Sequence, residues 1–143
     1  MALRIIEHGS GDYRQMVELR DEILRRPLGL TFSKEELAAE VKDILVAAFE
    51  EEQLVACCLL SPQNKDIVRL RQMAVSSEVQ GKGVGKALIL FAETVSRDHG
   101  FIKITMHARA TAVGFYEKMG YKISGPEFVE VTLPHYIMEK PLL

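Results

Sequence analysis

The chain has 143 residues, 48% hydrophobic and 27% charged, enough for one domain over 1–143 with a sizeable buried core. A formal net charge of -2 provides no broad attraction for nucleic acid or a membrane surface, so neither is expected as a partner. The start MALRIIEHGSGDY lacks the features of a secretory signal, and the longest apolar runs, ILVAAF and LVACCLL, are too short to span a bilayer; a cytoplasmic protein is expected, with a homodimer left open.

Along the chain, LRIIEH reads as a first strand. Met16, Val17, Leu19, Ile23 and Leu24 then set a helical apolar period over Tyr13 to Leu24, which RRPLGL breaks. Ser33 and Glu36 form a capping box that opens a short helix running to Val41. ILVAAFE, the turn EEQ and LVACCLLSP make a hairpin of two apolar strands. Cys57 and Cys58, the only cysteines, are adjacent there; on a strand they face opposite sides of the sheet, do not bridge, and read as buried structural thiols. DIVRLRQMAV alternates imperfectly, as a central strand with an irregularity does. A glycine-rich segment follows, then a helix from Val84 to His99 ended by Gly100, the strand FIKITMHA, a helix from Thr111 to Met119 ended by Gly120, and terminal strands. The sheet is antiparallel up to the glycine segment, whereas a strand, a long helix and another strand in a right-handed crossover make a parallel pair. The fold class is mixed α/β.

The segment SSEVQGKGVGKALILFAE, residues 76–93, places Gly81, Gly83 and Gly85 within five positions just ahead of a helix. A strand end, a glycine-rich loop and a helix N-terminus gather backbone amide donors on one concave surface, and the helix dipole adds partial positive charge. Such a nest suits a phosphate or pyrophosphate, which side chains at the glycines would hold away. A Walker A loop does not fit: Gln80 stands where Gly is required, and Ala87 follows Gly85-Lys86 where a hydroxyl would bind magnesium. The dinucleotide pattern GxGxxG fails as well, with Lys86 at the third glycine position and no acidic residue in FIKITMHA to hold a ribose.

Gln80-Gly81-Lys82-Gly83-Val84-Gly85 resembles the Q/R-x-x-G-x-G/A signature of the GNAT superfamily of N-acetyltransferases. ATAVGFYEKMGYK resembles that family's second landmark, A-x-x-x-Y-x-x-x-G-F/Y, on the helix after the next strand. The ending LPHYIMEKPL is similar to that of small, ElaA-like bacterial members. The resemblance implies the acyl-CoA N-acyltransferase fold: a mostly antiparallel sheet with a central parallel pair and helices on both faces. It implies acetyl-CoA as co-substrate and an amine-bearing small molecule or peptide as acceptor. By the same resemblance Gln80, Gly81, Lys82, Gly83, Val84 and Gly85, with Lys86 next to them, bind the pyrophosphate of coenzyme A. Met73, Ala74 and Val75 pair with the peptide-like pantetheine arm as with an added strand. Tyr116 matches the tyrosine that approaches the thioester sulfur. Two departures stand out: Arg109 occupies the position of a pantetheine-contacting asparagine, and the central-strand glutamate that serves some members as base has no counterpart in DIVRLRQMAV.

The chemistry defines what else is needed. An alkylamine of pKa about 10.4 is neutral in about one molecule in 2,500 at pH 7, roughly 4 to 5 kcal/mol short of being able to attack. The thiolate of coenzyme A is best protonated as it leaves. Tyr116 is the candidate general acid, although transfer from a phenol near 10 to a thiolate near 8.5 is uphill by about 2 kcal/mol; beside Phe115 it reads equally as helix packing. His107, at the end of the strand before that helix, is the candidate base, because histidine ordinarily titrates near neutral pH. His135 is a candidate to line the acceptor pocket and Glu22 to attract an amine, while Arg20, Arg25 and Arg26 suit an acidic acceptor. No metal set with sensible spacing appears and neither cysteine sits in a reactive setting, so a metal or covalent route is not expected. The resulting expectation is acetyl transfer to a primary amine by direct attack in a ternary complex. The alternative is an acyl-CoA-binding sensor of the same fold, without turnover.

Overall fold

The computed structural model describes residues 1–143. Its strands are β1 Ala2–Ile6, β2 Ile44–Glu50, β3 Gln53–Pro62, β4 Ile67–Val75, β5 Lys103–Arg109, β6 Lys122–Ile123, β7 Phe128–Glu130 and β8 Leu133–Pro141. They form one sheet in the order β1-β2-β3-β4-β5-β8-β6, with β7 paired to β8. Every pairing is antiparallel except that of β4 with β5. The helices are α1 Gly11–Arg20, α2 Lys34–Ala39, α3 Val84–Asp98 and α4 Val113–Lys118. No helix is long and apolar enough to cross a membrane.

Strand alternation sends the core to both faces of the sheet. On one face Val46, Ala48, Cys58 and Leu60 pack under Val84, Leu88, Ile89 and Ala92 of α3 and Tyr116 of α4. On the other, Leu45, Ala47, Cys57 and Leu59 pack under Tyr13, Met16 and Leu19 of α1. The adjacent cysteines thus belong to opposite cores, both buried and free, as alternation requires. The α1 face also holds charge. Arg20, fully buried, donates from Nη1 and Nη2 to Glu40 Oε1 and Oε2 at 2.8 and 2.6 Å, and the Tyr13 hydroxyl donates to Glu40 Oε1 at 2.6 Å. Arg20 is therefore committed to joining α1 to the segment after α2, and has no guanidinium to offer an acceptor.

Two local departures from regular geometry position the site. The helix read as running from Tyr13 to Leu24 ends its α-helical part at Arg20 and continues as a π-helical turn over Asp21–Arg25. Insertions of this kind are frequent at functional sites because they redirect side chains. The irregularity expected in the central strand is a bulge: Gln72 has φ 55, and the β3–β4 register shifts between Cys57 and Leu59. Just before the bulge β4 leaves β5. The parallel pairing extends only from Ile67↔Lys103 to Leu70↔Met106, whereas β5 stays on β8 as far as Arg109↔His135. The edge of β4 that faced β5 is consequently unpaired through Val75.

Candidate active site

A cleft of about 1110 Å³ opens where β4 and β5 part. It is just above the usual range for ligand pockets, with room for an extended molecule and a second, smaller one.

One wall comes from the glycine segment. Gly81 and Gly83 have φ 83 and 78, and a Cβ built on either would meet nothing within 4 Å. Glycine is needed at both for the left-handed backbone rather than for lack of space. Gly85 is different: its Cβ would stand 3.5 Å from Met73 Cε and Val75 Cγ2, so glycine there lets α3 lie close along the end of β4. The sequence reading gave all three glycines one purpose, room for a phosphate; turn handedness and helix packing divide that purpose between them. Gly83 caps α3 without a side-chain hydrogen bond, and the first turn of α3 contains no acidic residue. The first amides of a helix have no intrahelical acceptor; here Ala87 is the first to find one, donating to the Gly83 carbonyl at 3.1 Å. Gln80 Nε2 braces the loop by donating to the Val75 carbonyl at 3.2 Å. Free amides, the positive end of the α3 dipole and Lys86 fit a pyrophosphate, and the unpaired edge of β4 fits an amide-bearing arm.

Met73, Val75, Gln80, Gly81, Gly83, Val84, Gly85 and Lys86 all line the cleft. Ala74 and Lys82 do not: the Ala74 side chain is buried in the α1-side core and leaves only its backbone to act, and Lys82 is exposed on the loop. Tyr116 lines the cleft from α4, 6% exposed, with Phe115 and Tyr121 edge-on to its ring. Burial pushes its phenol well above the ordinary value. It stays protonated and can donate a hydrogen bond, but full transfer of its proton to a thiolate is more uphill than the sequence estimate.

The opposite wall is made of side chains from several strands. Thr105, His107 and Arg109 alternate with the buried Ile104, Met106 and Ala108, so they point away from the α3 core. His107 Nδ1 lies 2.9 Å from Arg69 Nη2 and 2.9 Å from Glu130 Oε1, and Phe128 packs edge-on against the ring. His135, buried, donates from Nδ1 to the Leu133 carbonyl at 2.8 Å and has Nε2 3.8 Å from Glu130 Oε2. Burial tends to raise the Glu130 carboxyl, but the hydrogen bond from His107 and the charges of His107, Arg69 and His135 outweigh it and hold the group below the ordinary carboxylate range. His107 and His135 thus both face one carboxylate, Glu130, which the sequence did not single out.

Glu130 carries no local signal. It stands in a short terminal strand and reaches His107 only because β7 pairs with β8 and β8 with β5. The π-helical turn closes this wall with Ile23, Leu24 and Arg25. Glu22, considered for attracting an amine, is exposed and outside the lining, and Arg26 is exposed and paired with Asp21 at 2.9 Å. Arg109 lines the cleft, but its Nη2 is directed at the Leu24 carbonyl, 3.4 Å away on the α1 side.

The sequence profile of the acetyltransferase (GNAT) domain matches residues 24–142. An uncharacterized acetyltransferase of Streptococcus pyogenes serotype M3 is 29% identical over 91 residues, 64% of this chain and 64% of that protein. The chain spans about half the length of other curated relatives it matches. An aminoglycoside 6'-N-acetyltransferase complexed with coenzyme A has a TM-score of 0.85 at 20% identity, covering 100% of this chain and 98% of its own. Escherichia coli ElaA has the same TM-score of 0.85 at 16% identity, covering 98% of this chain and 99% of its own. Equal likeness to both is a likeness of fold, and it does not single out ElaA.

Proposed function

This chain belongs to the GNAT family of acetyltransferases, and from that membership and the geometry of the cleft we propose that it transfers an acetyl group from acetyl-CoA to a primary amine by direct attack in a ternary complex. Residues 1–143 act as one acetyltransferase domain in this reading, and a cytoplasmic location accords with its two free, buried thiols. The observation that carries it is the continuity of one cleft, which joins the free β4 edge, the α3 N-terminus and Tyr116 to the His107–Glu130 pair.

Acetyl-CoA, when bound, supplies an activated acyl carbon and a thiolate leaving group. The free amides of Gly81, Gly83, Val84, Gly85 and Lys86 bind its pyrophosphate, while that of Lys82 donates to the Val79 carbonyl, and the backbone of Met73, Ala74 and Val75 aligns its arm. His107 takes the proton of the acceptor ammonium at Nε2, because Nδ1 lies 2.9 Å from the Glu130 carboxylate and is engaged there. With Nδ1–H donating to Glu130, Nε2 carries the lone pair, and the carboxylate stabilises the imidazolium that forms. Tyr116, kept neutral by burial, donates a hydrogen bond to the departing sulfur.

Thiol release from acetyl-CoA across a panel of amines tests the reading. Some amine is expected to accelerate release well above background hydrolysis. Tight acetyl-CoA binding with no accelerating amine would replace it with the acyl-CoA sensor.

A further inference from the structure

We propose that the acceptor carries a carboxylate beside its amine, held by Arg69 and Arg109, so that the substrate is of the amino-acid type rather than a polycation. The inference rests on the acetyl-transfer reading and names the class of molecule that would occupy its second subsite.

The first argument is charge. The acceptor wall presents Arg25, Arg69, Arg71 and Arg109, and Glu130 is the sole carboxylate in the cleft lining. The chain as a whole has a net charge of -2, so this concentration of cations does not follow from composition. A ligand with several ammonium groups would meet like charge there, whereas an anionic group would be drawn in.

The second argument is an account of which guanidinium groups are already occupied. Arg25 donates to Glu36 at 3.1 Å and to the Thr31 carbonyl at 3.2 Å. Arg71 turns to Ser61 Oγ at 3.3 Å and Asp43 at 3.7 Å. Arg69 and Arg109 differ. Arg69 Nε is buried without a hydrogen-bond partner, and its nearest carboxylate, Glu130, is 3.9 Å from Nη2. Arg109 has the single long bond to Leu24 and no ion pair. Arg69 Nε is shielded from the cleft, so it is the terminal amines of Arg69 and Arg109, neither with a carboxylate in hydrogen-bond range, that can offer the fork geometry a carboxylate accepts.

Position is the third argument. Arg69 touches His107, and Arg109 is two residues along the same face of β5, so both flank the base. Arg69 lies roughly 20 Å along β4 from Val75 at the usual rise per residue, away from the phosphate-binding loop. An amine presented to His107 and a carboxylate presented to Arg69 need only a short spacer between them. The arrangement also couples binding to protonation. Nδ1 of His107 cannot accept from Arg69 and donate to Glu130 at once. A carboxylate that draws Arg69 to itself leaves Nδ1–H to Glu130 and the lone pair of Nε2 to the amine.

The test compares L-amino acids with their carboxamides, alongside spermidine and an aminoglycoside, by thiol release and by calorimetric titration into CoA-saturated protein. At least one acid is expected to exceed its carboxamide by roughly tenfold to a hundredfold in kcat/KM. Arg69→Gln and Arg109→Gln should each narrow that ratio, and Arg69→Lys should restore part of it. Carboxamides or polyamines turned over as well as the acids would overturn the carboxylate subsite and leave acetyl transfer standing. Acids that bind the CoA-loaded protein in preference to carboxamides, with no amine turned over, would uphold the subsite and remove acetyl transfer. Neither turnover nor preferential binding would remove both.

Discussion

The two walls of the cleft are built by different means, and in the proposed function would recognise their ligands differently. The α3 wall works mainly through backbone: a run of consecutive residues, three glycines at fixed spacing and the first turn of one helix. The facing wall works through side chains from β4, β5, β7, β8 and the π-helical turn. Backbone recognition must keep its local sequence pattern, because handedness and close packing leave few residue types at those positions. Side-chain recognition can be rebuilt one strand at a time. In such a cleft the backbone-built wall and the side-chain wall can change independently of one another.

The supports of the two walls differ too, and the largest expected effect comes from that difference. Both supports include a buried carboxylate, but Glu93 of α3 pairs with a part-exposed Lys140 at 3.1 Å, whereas Glu40 pairs with the fully buried Arg20 that fastens the α1 wall. Glu40→Gln leaves the Arg20 guanidinium buried without a compensating charge, which should cost roughly 3 to 5 kcal/mol in urea unfolding. Amine KM should also rise more than acetyl-CoA KM, because the π-helical turn is carried by α1. A variant of wild-type stability would mean that the α1 wall is held by apolar packing and not by the ion pair.

This division also decides what could be read in the sequence. The glycine segment, the capping box at Ser33 and Glu36, the opposed cysteines and the parallel β4–β5 pair were all legible, because each depends on residues close in the chain or on simple alternation. The fate of the arginines was not. Arg20, Arg25 and Arg26 look alike in the sequence, yet one is sealed in the core, one lines the cleft and one is exposed. The change from α-helix to π-helix after Arg20, and to a 3-10 turn at Arg26, separates them. Glu130 is hidden for the same reason, since its role depends on strand order and not on neighbours.

A second prediction lies on the α3 wall. Tyr116→Phe removes the hydroxyl and preserves the ring between Phe115 and Tyr121, so stability and acetyl-CoA affinity should change little. Burial makes the phenol a reluctant acid, so in the proposed mechanism it contributes a hydrogen bond to the leaving sulfur. A fall in kcat of about tenfold is expected, with amine KM nearly unchanged, measured by steady-state kinetics. Full retention of kcat would make Tyr116 a packing residue and leave the α3 wall with no chemistry of its own beyond the backbone.

The smallest effect concerns Glu130, and its sign follows from the direction of its shift. Hydrogen bonding from His107 and nearby positive charge hold the folded-state carboxyl below the unfolded value of about 4.3. Its contribution to stability is therefore complete above that value and is lost as the pH falls through the folded pKa. Because the side chain is 39% exposed, solvent screens the interaction, and Glu130→Gln should cost less than about 1 kcal/mol at pH 7. The gap between variant and wild type should be full above about pH 5 and narrow as the pH falls below the unfolded value of about 4.3, followed by urea midpoints at each pH. A gap still present at the lowest pH would show that Glu130 acts through packing. The acceptor wall would then lack the charge dependence that sets it apart from the backbone-built wall, and His107 would need another partner to hold its proton-bearing nitrogen.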